Sequence, residues 1–193
     1  MASSLLSVKN RQKYLKKLGL YTKKVDGVSG AGTKAAYKLF NIIFLNVDSS
    51  SYTTSTDAKL KSVYKSYNKS KYMTTEDWKF FNDFKASQFH CTCNGKYCDG
   101  YNGRKKKLPM QLIMMAQYVK NYYDKPLYIS SSVRCPRRNK EVGGVKTSKH
   151  LKFFALDYKV GNEKATTVIK VVKKLPFVKY AYDINKYYVH SNI

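Results

Sequence analysis

Six residues separate His150 from Asp157, and the carboxylate sits inside F-F-A-L-D-Y-K-V (residues 153–160), a run apolar enough to be a buried strand. A carboxylate in such a strand is costly to desolvate unless a cation or a metal meets it. A histidine just before the strand and an aspartate within it can converge on one zinc ion through nitrogen and oxygen, leaving positions for a third ligand and a water. The other two histidines are His90, beside Cys91, and His190, close to the C-terminus. Four cysteines form a C-x-C-x4-C cluster, Cys91, Cys93 and Cys98, with Cys135 farther along. That spacing departs from the common C-x2-C zinc knuckle and leaves three states open: a structural zinc site, one or two disulfides, or buried thiols.

The flanking sequence supplies elements to carry these residues. Residues 127–133, L-Y-I-S-S-S-V, are strand-like, and an amphipathic helix over 163–175 stops at Pro176. The chain closes on two strand-like runs around Asn185-Lys186, which predicts a two-residue hairpin. Pro109 can open a helix whose apolar face is Leu112, Met115, Ala116, Val119 and Tyr123, and Thr74-Thr75 before Glu76-Asp77 reads as another helix start. Upstream, Leu5, Val8, Gln12, Leu15 and Leu18 recur at helical spacing and Gly19 is placed as a stop. Thr33 reads as the N-cap of a second helix through Ala36, Leu39 and Phe40, and Ala58, Leu60, Val63 and Tyr64 as a third. Helices together with an antiparallel sheet make the class α+β. The expected division is a three-helix domain over 1–68, a polar linker over 69–75 and an α+β domain over 76–193. The basic run at 104–107 reads as a solvated loop.

Net charge is +25 and the basic excess lies in both halves, so the chain is suited to a polyanion: nucleic acid, anionic lipid or wall polymers. Hydrophobic content of 43% and aromatics at 15% exclude a disordered chain. No apolar run approaches the ~20 residues of a membrane span, and the N-terminus lacks a signal-peptide pattern.

The order S-S-V-R-C-P-x-x-N-x-x-V-G-G (residues 131–144), S-x-H-x6-D (148–157) and Y-V-H (188–190) resembles the D-alanyl-D-alanine zinc peptidases, over roughly residues 76–193. The resemblance implies zinc ligands at His150, Asp157 and His190, an Arg134 that stabilises charge on the substrate, and substrate-positioning roles for Ser148 and Asn139. The family places its general base three residues before the third ligand, two before it or two after it; here those positions hold Tyr187, Tyr188 and Asn192. With a two-residue turn Asp183 would lie diagonally from His190, which makes Asp183 the expected base, with Glu141 next. The family also has Gly three residues after the first ligand where this chain has Phe153, so that turn is expected to form without a residue tolerant of positive φ.

Residues 1–68 resemble the three-helix peptidoglycan-binding domain of wall hydrolases, through Gln12, Leu15, Leu18-Gly19, Tyr21, Val25-Asp26-Gly27, Gly30, Thr33, Ala36 and Phe40. Together the two resemblances imply a phage-type endolysin: a monomer made without a signal peptide that acts on the wall after release. Its partners would be peptidoglycan and anionic wall polymers, with no dedicated nucleic-acid partner and no membrane span. Two other functions compete with that reading, a non-catalytic wall binder and a basic nucleic-acid binder using the Cys cluster.

Overall fold

The computed structural model describes residues 4–100 and 108–193, so the basic run at 104–107 lies outside the described residues. Among the described residues no helix is long and apolar enough to cross a membrane.

Three helices open the chain: α1 (Val8–Lys17), α2 (Ala31–Leu45) and α3 (Thr54–Lys69). The Ser7 hydroxyl accepts from the Asn10 amide to start α1, and Thr53 does the same for α3 through Thr56. Thr33 is not the cap of α2. Gly30 holds that position, and the Thr33 hydroxyl sits inside the first turn, donating to the Val28 carbonyl.

What organises this region is Gln12, fully buried on α1. Its Nε2 donates to Asp26 Oδ1 at 2.7 Å and lies 3.0 Å from both the Val28 carbonyl and the Thr33 hydroxyl. Its Oε1 accepts the amides of Asp26 and Gly27 at 3.1 and 2.9 Å. One side chain therefore satisfies the backbone of the α1–α2 loop, which would otherwise leave buried polar groups unpaired.

The central element is α4 (Met110–Tyr123), apolar nearly all round and buried accordingly. It packs against α2 on one side and, on the other, against α5 (Ala165–Val172), β1 (Leu127–Ser131) and β2 (Ala155–Val160). Gln111 Nε2 donates to the Leu18 carbonyl at 3.0 Å and Asn121 Nδ2 to the Ile42 carbonyl at 2.7 Å, so both ends of α4 are tied to the first helices. One continuous hydrophobic cluster runs from Leu15 through Phe40, Phe81 and Ile113 to Tyr158 and Val189. The segment expected as a linker joins this body: Met73 donates to the Leu108 carbonyl at 2.7 Å, Met110 to the Lys71 carbonyl at 3.0 Å, and the Met73 side chain is buried.

The sheet is antiparallel, ordered β1-β2-β4-β3, with β3 spanning Tyr180–Asp183 and β4 Val189–Asn192. The chain is α+β, with its helices gathered N-terminally and the sheet in the C-terminal part. The last turn differs from the expected two-residue hairpin. Asn185 Oδ1 accepts the amides of Tyr187 and Tyr188, both at 3.0 Å, and Ile184 donates to the Tyr188 carbonyl, which lengthens the turn to residues 184–188. The register moves with it: Tyr182 opposes His190 and Asp183 opposes Val189.

Because Gln12 holds five partners without solvent access, Gln12→Ala is expected to lower stability by about 3 kcal/mol, the cost of leaving more than one buried backbone group unpaired. Urea unfolding of the full chain measures this; a loss under about 0.5 kcal/mol would show that water replaces the amide.

Candidate metal centre

The sheet lays the centre out as one row. Asp157 on β2 opposes His190 on β4, which opposes Tyr182 on β3. On the other side, an irregularity in β1 between Ile129 and Ser131 inserts one residue, so Ser131 rather than Ser130 faces Asp157. Ser130 turns aside, its hydroxyl 3.1 Å from the Asp157 carbonyl. Residues directly opposite in an antiparallel sheet project from the same face, so the Ser131, Asp157, His190 and Tyr182 side chains share one surface.

His150 enters from above this row on a 3-10 turn, Lys149–Lys152, capped by the Ser148 hydroxyl, which accepts the His150 amide at 3.3 Å. The turn closes through Phe153 at φ 68°, ψ 24°, so where the resembled family has Gly a bulky residue itself takes up the left-handed conformation. Its ring is buried, and that burial offsets the backbone strain.

Three ligand-type atoms converge. His190 Nδ1 is 2.7 Å from Asp157 Oδ1, His150 Nε2 is 3.2 Å from the same oxygen, and the two nitrogens are 3.3 Å apart. All three side chains are buried. His150 Nδ1 lies 2.5 Å from the Ser132 carbonyl, which can only accept, so Nδ1 carries the proton and Nε2 presents its lone pair to the centre. The triangle suits a small divalent ion: zinc with bonds of about 2.0–2.2 Å to nitrogen and oxygen separates its ligands by a little over 3 Å. Fixing a metal-binding imidazole through its other nitrogen is the arrangement such ligands require.

Asp157 is further bound by Arg134, whose Nη2 donates to Oδ2 while its Nε donates to the Ser131 hydroxyl at 2.8 Å. Burial pushes the Asp157 carboxyl up, but His150, His190 and Arg134 outweigh it and hold the group well below the usual carboxylate range. The Arg134 amide also donates to the His150 carbonyl at 3.2 Å, linking the arginine to the turn that carries the first imidazole.

The cluster floors a cleft of about 580 Å³ walled by residues 142–145, 147–149 and 182–184. A second hollow of about 350 Å³ is bordered by Thr92, Ser130, Asn185 and Tyr188. Arg134, Val142, Asp157 and Ile184 line both, so the two hollows adjoin at Arg134 and Asp157.

Of the residues singled out from the sequence, His150, Asp157, His190 and Arg134 meet at one point, and Ser148 borders the cleft. Asn139 does not. It is buried, with its Nδ2 donating to the Gly144 and Val145 carbonyls at 2.9 and 3.0 Å, so it shapes the cleft wall from beneath instead of touching what enters. Gly144 allows this approach, since a Cβ there would fall 2.3 Å from Asn139 Oδ1.

Asp183 lies on the cleft wall, but the observed register puts it opposite Val189 and not on the diagonal from His190. Glu141 turns away to Arg138, to Tyr97 at 3.0 Å and to Lys96 at 3.6 Å, and the first two hold its carboxyl below the ordinary range. Sequence reasoning passed over Tyr182, whose ring stacks on His190 with centroids 4.7 Å apart. Burial and the nearby Asp157 charge raise its phenol pKa. Only the true length of the 184–188 turn would have pointed to it.

Two imidazoles and a carboxylate converging from an antiparallel sheet at the floor of a cleft define a single-metal hydrolase centre in the making. The family model of peptidase M15 matches residues 82–192, a segment that contains every residue of this cluster, and the chain belongs to that family, whose members are zinc peptidases. A search of curated proteins found no match.

Phe153 gives a test of the turn. Replacing it with either Gly or Ala removes the buried ring, at a cost of about 3–5 kcal/mol, but only Ala keeps the left-handed penalty. Phe153→Gly should therefore be more stable than Phe153→Ala by about 1 kcal/mol, the reverse of the usual order. Paired unfolding curves decide it, and a more stable Ala variant would mean that the turn relaxes out of the left-handed region.

Proposed function

We propose that the protein is an endolysin-like zinc peptidase that hydrolyses peptide bonds in the stem peptides or cross-links of bacterial peptidoglycan, with residues 1–68 as its wall anchor. The observation that carries the reading is the convergence of His150 Nε2, Asp157 Oδ1 and His190 Nδ1 within 3.3 Å of one another. These three atoms would hold the metal. Zinc bound there supplies Lewis-acid polarisation of the scissile carbonyl and activation of water near neutral pH.

The chain's own residues supply the rest. Arg134 keeps the Asp157 carboxylate oriented through Oδ2, leaving Oδ1 for the metal, and lines the cleft where a cation can stabilise charge developing on the carbonyl. Ser148 and the Ser132 carbonyl fix the His150 turn and tautomer. Asp183 is the acidic side chain other than Asp157 among the described cleft residues, which makes it the candidate proton acceptor and donor, with the Tyr182 hydroxyl as the alternative group on the His190 face.

The second hollow that adjoins the cleft at Arg134 and Asp157 favours an extended substrate such as a stem peptide. A net charge of +25 favours retention on a wall rich in phosphate and carboxylate. In the wall anchor, the resemblance rests on residues that build the α1–α2 loop through Gln12, so wall contact would come from the surface this loop presents.

Incubation of purified cell walls with the full chain should release new amino termini, and a chelator should abolish the release. His190→Ala should lose that activity and still sediment with the walls. Chelator-resistant release, or full activity in His190→Ala, would overturn the reading. Asp183→Asn should keep zinc and reduce kcat by about 10²–10⁴ with little change in KM. If kcat holds in that variant and falls in Tyr182→Phe, proton transfer belongs to the tyrosine.

A further inference from the structure

A second cluster lies outside the cleft. Cys91, Cys93, Cys98 and Cys135 are free thiols, and their four sulfur atoms all lie within 4.8 Å of one another. Three of them are buried, with Cys98 half-buried, and the Cys93 and Cys98 sulfurs are 3.4 Å apart. Among the described residues they form a hydrophobic cluster of their own, with Tyr97 packed beside them. A loop of this length has too little apolar surface to order itself by burial.

The backbone is nevertheless folded around the sulfurs. The Lys96 amide donates to the Cys93 carbonyl at 3.0 Å, Asn94 and Gly95 take positive φ, and the Cys91 amide closes the loop on the Gly100 carbonyl at 3.2 Å. Backbone amides point at the sulfurs: Cys135 N lies 3.3 Å from Cys91 Sγ, and Arg138 N lies 3.3 Å from Cys135 Sγ. Backbone donors of this kind are the partners that metal-bound sulfur accepts from. Cations border the loop, with Lys96 and Arg137 near the Tyr97 ring and the Arg138 Nε 3.4 Å from the Thr92 hydroxyl. A divalent ion held by four thiolates carries two net negative charges, which such a rim offsets.

We propose that Cys91, Cys93, Cys98 and Cys135 bind a structural zinc ion that holds the Ser131–Cys135 segment, and with it Arg134, in place. Tetrahedral zinc with sulfur bonds of about 2.3 Å separates its ligands by about 3.8 Å, which falls within the spacing found here, and soft thiolates select zinc over magnesium or calcium. On binding, the sulfurs form four bonds to zinc and release their remaining protons to solvent. The mechanical consequence follows from chain order: Cys135 is joined to Arg134, so fixing the sulfur fixes the arginine that pairs with Asp157. The site thus acts on catalysis by positioning and not by contact with substrate.

The experiment uses the full chain, purified under reductant without chelator, with zinc measured by mass spectrometry. Wild type should carry about two zinc ions and the His150→Ala/His190→Ala double variant about one. Cobalt exchanged into that double variant should give the near-ultraviolet sulfur-to-metal charge-transfer band of a tetrathiolate centre, which no histidine site produces. A thiol-specific mercurial should then release the bound ion as the thiols are consumed. Cys93→Ser/Cys98→Ser should lose this ion, but the result does not depend on that variant folding, because the His double variant keeps the loop intact. A His double variant with no zinc and no charge-transfer band would overturn the proposal, as would a native protein whose four cysteines are already paired as disulfides. Neither outcome bears on the peptidase centre, which is tested separately by chelator-sensitive release from walls.

Discussion

A carboxylate inside a strand is the constraint around which the peptidase half is arranged. Asp157 lies in a run of residues buried on β2, where an unpaired charge would cost several kcal/mol. Arg134 takes one of its oxygens, and the other faces the two imidazoles, where a metal ion would meet it. Each of these partners comes from a different part of the chain: the end of β1, a 3-10 turn, and β4. Sheet, turn and loop must therefore be correct together before the charge is tolerated, so the need to satisfy Asp157 also specifies the site.

Much of this was legible in the sequence because chemistry with few alternatives leaves a strong imprint. Three histidines, a strand interrupted by an aspartate and an arginine directly after the strand-like run 127–133 narrow the choice of cluster, and the structure brings His150, Asp157, His190 and Arg134 together. What the sequence did not disclose are matters of register. The bulge that turns Ser131 toward Asp157 has no glycine or proline to mark it, and the 184–188 turn is built by the Asn185 side chain where the sequence pointed to a two-residue turn. One residue of difference in that turn exchanges the neighbours of His190, replacing a diagonal Asp183 with a stacked Tyr182. Asn139 misled for another reason: an amide in a motif can serve the loop's backbone as readily as a ligand.

The N-terminal helices follow the same logic. Gln12, Asp26, Gly27 and Thr33 read as a binding signature, yet in the structure they are one hydrogen-bonded knot. A pattern of this kind meets the hydrogen-bonding needs of the loop itself, so it identifies a scaffold more directly than a ligand. The core that passes through α4 from the first helices to the sheet adds a second dependence, because polar ties from Gln111 and Asn121 fasten that scaffold to the helix on which the sheet rests.

The single-residue bulge in β1 sets a reading frame for the site. Strand side chains alternate between faces, so the extra residue at Ser130 acts as a frameshift that places Ser131 among the working groups and delivers Arg134 three residues later. Substitutions along β1 leave that frame intact, and so does loss of the extra residue itself, because the residue after Ile129 then meets Asp157 directly. Deleting Ser132 or Val133 instead shortens the step from Ser131 to Arg134 and carries the arginine away from Asp157, a contrast that a scan of single deletions across 130–133, read by zinc retention, would expose directly.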